Sequence, residues 1–148
     1  MIEKERFTVL LVEDDESDAF LIQHAFAEAG LSARLLHVKN GEDALAFLRR
    51  IPPWHEAPRP DLILSDLNMP RMDGLTLLEQ IKSDTDLRDI PTVILSTSSA
   101  ETDIMLSYQH YAAGYLVKPM DLDTLAAQLS QLVEYWRNLV SRPSYALA

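Results

Sequence analysis

The chain has no cysteine, which excludes disulfides, thiol nucleophiles and thiolate metal sites. Glycine is scarce, at four residues beside eight prolines, and nothing in that composition suggests a fibrous repeat or a disordered low-complexity chain. Positive charge is also short: 13 Lys and Arg face 23 Asp and Glu, leaving a formal charge of -10. Phosphate backbones and anionic lipid surfaces would repel such a molecule, so nucleic-acid and membrane partners are not expected. Long hydrophobic runs are missing too. The longest, around Val9 to Val12, is about six residues, against roughly 18 for a membrane span. The opening Met-Ile-Glu-Lys-Glu-Arg mixes charges and lacks a signal core, which makes the cytoplasm the default location. What is present is a 148-residue chain, 47% apolar, the size of one domain with a full core.

Short apolar runs alternate with helical patterns. Phe7 to Val12 reads as a buried strand that stops at Glu13-Asp14-Asp15-Glu16. Ser17 or a nearby Asp caps a helix to about Ala29, with Phe20, Ile22, Ala25 and Phe26 on or near its inner face and Gly30 as its stop. Ala33 to Val38 is a second strand, Asn40-Gly41 a turn, and Glu42 to Arg50 a second helix. The proline-rich stretch from Ile51 to Pro60 cannot continue that helix and forms a long loop. Leu62 to Ser65, Thr92 to Leu95 and Gly114 to Val117 supply three more strands. Helices near Leu75 to Ser83, Ala100 to Tyr111 and about 121 to 140 follow them. Strands joined through helices predict a doubly wound, five-stranded parallel sheet with five helices. Ligands of such folds sit beyond the carboxyl ends of the strands, at the topological switch point.

The residues at that edge are Glu13 and Asp14, Asp66, Ser96 and Lys118. Converging carboxylates with no His or Cys among them suit a hard cation such as Mg2+. Taken alone, Glu13 to Glu16 could equally be solvated helix-capping acids, and Lys118 a snorkelling surface lysine.

Four motifs in order decide the matter: Leu-Leu-Val-Glu13-Asp14-Asp15, Asp61-Leu-Ile-Leu-Ser-Asp66-Leu-Asn68-Met-Pro70, Pro91-Thr-Val-Ile-Leu-Ser96-Thr97 and Gly114-Tyr115-Leu-Val-Lys118-Pro119. With 30 residues from Asp66 to Ser96 and 22 from Ser96 to Lys118, the chain resembles the receiver domain of two-component response regulators over about residues 7 to 138. The resemblance implies a flavodoxin-like strand order of 2-1-3-4-5 and a single receiver domain over 1-148. It makes Asp66 the phosphoacceptor, Asp14 a direct Mg2+ ligand, Glu13 its companion acting mainly through water, and Asn68 a ligand through its backbone carbonyl. Lys118 is then the cation at the phosphoryl group, Ser96 the switch hydroxyl and Tyr115 the switch aromatic, and the Lys118-Pro119 bond is cis. Thr97 stands where the family often has Ala, beside the path of Tyr115; the alternative for Tyr115 is a core-edge aromatic with no switching. The long loop and long last helix look like the small stand-alone regulators that work with phytochrome-type histidine kinases, which makes such a kinase the expected partner.

Leu122, Leu125, Leu129, Leu132, Trp136 and Leu139 form a stripe longer than the sheet can cover. Its far end either folds back onto the domain or pairs with a second copy; the excess apolar length favours a homodimer, with Met105, Tyr108 and Tyr111 as further contacts. Residues 141 to 148, with Pro143, read as a frayed tail. The four His show no ligand spacing. Aspartyl-phosphate phosphohydrolases place their Asp-x-Asp-x-Thr motif near the first strand, and flavin modules need a phosphate loop where this chain has acids. The remaining rival is a receiver-like interaction module that is never phosphorylated.

Overall fold

A computed structural model describes residues 7–143. Five strands, β1 (Phe7–Val12), β2 (Ala33–Val38), β3 (Leu62–Ser65), β4 (Thr92–Ser96) and β5 (Gly114–Val117), form one parallel sheet in the order β2-β1-β3-β4-β5. The helices are α1 (Glu16–Glu28), α2 (Gly41–Leu48), α3 (Gly74–Ser83), α4 (Glu101–Gln109) and α5 (Leu122–Glu134). Strands β1, β3 and β4 are buried along their whole length, whereas the edge strands β2 and β5 are half-covered. This is why the central strands read as unbroken apolar runs rather than as alternating ones.

Alternation within β1 sorts its side chains onto two cores. Phe7, Val9 and Leu11 join Ile22, Phe26, Leu125 and Leu129 of α1 and α5. Leu10 and Val12 join Ala44, Phe47, Leu77 and Ile81 of α2 and α3 on the opposite face. Each fully buried leucine contributes about 1.5–3 kcal/mol of transfer free energy, so the sheet centre is a stiff platform for whatever its edge carries. Asp15, Asn40, Asp73 and Asp121 each accept a hydrogen bond from a backbone N–H three residues on, capping α1, α2, α3 and α5.

Four expectations are corrected. Phe20 is 67% exposed, because the inner face of α1 runs through Ala19, Ile22, Ala25 and Phe26 and leaves Phe20 about 100° off it. The last helix is not continuous to 140: α5 ends at Glu134 and a π-helical turn covers Tyr135–Leu139, closed by Val140 N–H donating to Tyr135 carbonyl. Trp136 there packs against the α1/α5 core, while Leu139 is 74% exposed. The start of the tail is pinned rather than frayed. Arg142 donates to Asp61 Oδ1 at 2.8 Å and to the Trp136 carbonyl at 2.9 Å, and lies over the Phe7 ring. Residues 144 to 148 of the expected tail lie outside the described residues. Finally, the cis bond among the described residues is Pro52-Pro53; Lys118-Pro119 takes the trans form, the lower-energy isomer of an X-Pro bond.

Candidate functional site

Register builds the site. Val12 pairs with Ser65, so the next residues, Glu13 and Asp66, emerge side by side where the strand order reverses between β1 and β3. Asp66 N–H donates to the Val12 carbonyl at 3.0 Å, and Glu13 N–H donates to the Val38 carbonyl at 3.1 Å. His37 Nε2 lies 2.8 Å from the Glu13 carbonyl oxygen, an acceptor, which places the ring hydrogen on Nε2. Strand β2 thus holds both the N–H and the carbonyl of Glu13, while β3 holds the preceding Val12 carbonyl. Ser96 of β4 pairs with Val117 of β5, and the following Lys118 N–H donates to the Ser96 carbonyl at 2.7 Å.

The side chains converge as the sequence predicts. Glu13, Asp14 and Asp66 each offer a carboxylate oxygen within 4.8 Å of the others. Lys118 Nζ donates to Glu13 Oε1 at 2.8 Å and stands 3.8 Å from Asp66 Oδ1. Asp66 Oδ1 also accepts from Leu67 N–H at 2.8 Å. Glu13 is only 1% exposed, and burial pushes its carboxyl up to about 7; the Lys118 hydrogen bond opposes this and the charge of Asp66 adds to it. Burial likewise raises Asp66, with the Lys118 charge opposing. For Lys118, burial pulls the ammonium down, but the Glu13 hydrogen bond and the charges of Asp66 and Glu13 outweigh it and hold it above its ordinary value. One ammonium among these carboxylates leaves net negative charge in a partly buried place. The all-oxygen donor set and the unmet charge both fit a hard divalent cation.

The remaining candidates stand around this centre. Ser96 is fully buried, and its Oγ accepts from Ser98 N–H at 3.1 Å. Tyr115 is half-buried and donates its hydroxyl to the Ser98 carbonyl at 2.9 Å, so the loop after β4 links Tyr115 to Ser96. Thr97 is exposed at the head of that loop, and Asn68 is exposed in the loop after Asp66. Gly74 N–H donates to the Leu67 carbonyl at 2.7 Å, folding the start of α3 against the loop that carries Asp66.

One contact was missed from the sequence. Lys118 Nζ also donates to Asp18 Oδ2 at 3.0 Å. Asp18 lies on the first turn of α1, beyond the Asp15 cap, and no sequence pattern links it to Lys118.

With this geometry in view, the comparisons with known proteins are specific. Residues 9–130 match the response regulator receiver domain. Response regulator Rcp1 of Synechocystis sp. (strain ATCC 27184 / PCC 6803 / Kazusa) is 36% identical over 136 residues, covering 92% of each chain. The phosphorylated cyanobacterial phytochrome response regulator RcpA superposes with a TM-score of 0.86 at 40% identity, over 94% of this chain and 99% of that one. The Mn2+-bound form of Rcp1 superposes with a TM-score of 0.82 at 36% identity, over 93% and 99% of the two chains. A family match across most of the chain, near relatives aligned over nearly their whole length, and the acid-and-lysine edge agree: this chain belongs to the response regulator receiver domain family.

Proposed function

We propose that Asp66 accepts a phosphoryl group from the histidine of a phytochrome-type kinase in the cytoplasm, with Mg2+ as the cation. In the transfer, a carboxylate oxygen of Asp66 forms a bond to phosphorus and the donor P–N bond breaks. The electron pair stays on the imidazole nitrogen, which takes up a proton. Asp14, Glu13, Asp66 and the backbone carbonyl of Asn68 would hold the metal. Bound there, Mg2+ supplies charge neutralisation that lets an anionic phosphoryl group approach carboxylates. Lys118 offers its ammonium to the incoming phosphoryl oxygens, and Ser96 supplies a hydroxyl to one of them. As Ser96 turns toward the phosphoryl group, the loop through Thr97 and Ser98 moves with it and Tyr115 loses its acceptor, which changes the surface offered to partners.

The observation that carries this reading is the side-by-side emergence of Asp66 and Glu13 at the switch point, with Lys118 closing the gap. The likeness to phytochrome response regulators supports the choice of kinase. Signalling proceeds through this change of state, with a homodimer as one output; exposed Tyr135, Leu139, Met105, Tyr108 and Tyr111 are the apolar side chains available for it. The test is phosphotransfer from radiolabelled histidine kinases. A phytochrome-type kinase should label the chain fastest, and faster labelling by an unrelated kinase would contradict the pairing.

A further inference from the structure

Lys118 has three N–H donors and uses two of them on carboxylates, Glu13 at 2.8 Å and Asp18 at 3.0 Å. Asp66 is left at 3.8 Å, beyond hydrogen-bond range. The Lys118 side chain is 10% exposed, so its ammonium is met mainly by these acids rather than by water. Glu13 belongs to the metal-binding cluster; Asp18 lies outside it, on α1, with its side chain 38% exposed. Asp18 is fixed in place because its own N–H donates to the Asp15 cap at 2.9 Å. Two acids therefore compete with Asp66 for one lysine, and one of them is on the helix side rather than at the reacting centre.

We propose that Asp18 is a positioning residue that parks Lys118 away from Asp66 in the resting protein and surrenders it when the phosphoryl group arrives. The inference rests on Asp66 being the phosphoacceptor and adds a control on how that site is charged. Parking has two opposite effects. It draws part of the ammonium's charge to α1 and away from Asp66, which favours the divalent cation. It also makes the phosphoryl group compete with Asp18 for Lys118, which weakens retention of that group. A side chain that merely supported the fold would, on removal, weaken both.

The experiment measures two constants in the full chain: Mg2+ affinity alone, and affinity for beryllofluoride, a phosphoryl mimic, at saturating Mg2+, read by 19F NMR. Asp18→Asn should weaken Mg2+ binding and tighten beryllofluoride binding, each by about two- to fivefold, the size expected for losing one partly exposed charge contact. Asp18→Glu, which restores the carboxylate, should return both constants toward the starting values and guards against a folding artefact. In a Lys118→Met background, the Asp18→Asn effect on Mg2+ should fall to less than half, because no ammonium remains to be released. Loss of both affinities in Asp18→Asn, or an effect undiminished in the Lys118→Met background, overturns the inference. If the unsubstituted protein binds no beryllofluoride, the phosphoacceptor reading itself fails and takes the inference with it.

Discussion

Glu13 and Lys118, 105 residues apart in sequence, meet through a 2.8 Å hydrogen bond that ties the end of β1 to the end of β5 across the sheet edge. Between those two strands lie β3 and β4, whose carboxyl ends carry Asp66 and Ser96. The ion pair thus spans the mouth in which the proposed phosphoryl group would sit. Its charge is incompletely balanced, because burial holds Glu13 near 7 even with Lys118 in contact.

A pH dependence follows from that imbalance. The folded-state value of Glu13, about 7, lies above its ordinary 4.5, so the folded protein binds more protons than the unfolded chain between those limits. Stability of the metal-free protein should therefore be highest below about pH 4.5 in this contribution and decline as pH rises through about 7. Asp66, also raised, acts in the same direction. Lys118, raised above its ordinary 10.5, contributes stability that is lost only above that value and leaves this window untouched. Thermal unfolding in EDTA from about pH 5 to about pH 8 should show the fall, and Glu13→Gln should flatten it. Mg2+ affinity should rise over the same range, since the ligand is the ionised carboxylate. A stability that climbs with pH in the metal-free protein would contradict this assignment.

Gly74 is constrained by approach rather than by backbone angle. A Cβ there would run into the Asp66 carbonyl oxygen and come within 2.9 Å of Leu67 Cα. Gly74→Ala should therefore push the Asp66 loop outward, costing about 1–3 kcal/mol and sharply slowing phosphorylation by acetyl phosphate. Gly30→Ala makes the contrast: at φ +65° the substitution is strained, but nothing lies within 4 Å of the new carbon. It should cost about 1 kcal/mol and leave the phosphorylation rate unchanged. Urea unfolding and intact-mass time courses on both variants separate the two outcomes.

Ser96 sits buried with its Oγ accepting from Ser98 N–H, and the Ser98 carbonyl in turn accepts from Tyr115. Ser96→Ala should leave Mg2+ affinity within error of the unsubstituted protein while weakening beryllofluoride binding by about tenfold, the scale of one charge-assisted hydrogen bond. The Tyr115 ring resonances, shifted by beryllofluoride in the unsubstituted protein, should move little in Ser96→Ala. Equal ring shifts in both proteins would uncouple Tyr115 from the hydroxyl.

For self-association, the structure moves the weight from Trp136 to its neighbours. Trp136 packs on the α1/α5 core, so Trp136→Ala should destabilise the fold, by about 2 kcal/mol for a partly buried aromatic. Tyr135→Ser with Leu139→Asp removes exposed side chains and should weaken a dimer without that cost. Sedimentation equilibrium, with unfolding curves on the same samples, distinguishes the two. A double variant that associates as tightly as the starting protein would remove this turn from the interface.

The sequence carried the strands and the acid edge because short apolar runs, each ending in an acid, hydroxyl or lysine, leave little choice of fold. Asp66 and Lys118 were legible for the same reason. Asp18 was not: an acid in the first helical turn is already explained by the helix dipole, and only the chain of strand registers from β1 through β3 and β4 to β5 brings Lys118 to it. Phe20 misled because hydrophobicity alone does not say which side of α1 faces the sheet. The 3-4 spacing of the last helix continues through Trp136 and Leu139, so the π-helical turn left no trace in the pattern. Arg142 was hidden by Pro143 beside it, since its partners Asp61, Phe7 and the Trp136 carbonyl come from distant segments.

Intact-mass measurement after incubation with Mg2+ and acetyl phosphate tests the central claim most directly. The unsubstituted protein should gain one phosphoryl group, with loss of that gain when Mg2+ is withheld, and Asp66→Asn should gain none. Labelling of Asp66→Asn to the same extent as the unsubstituted protein would contradict the account.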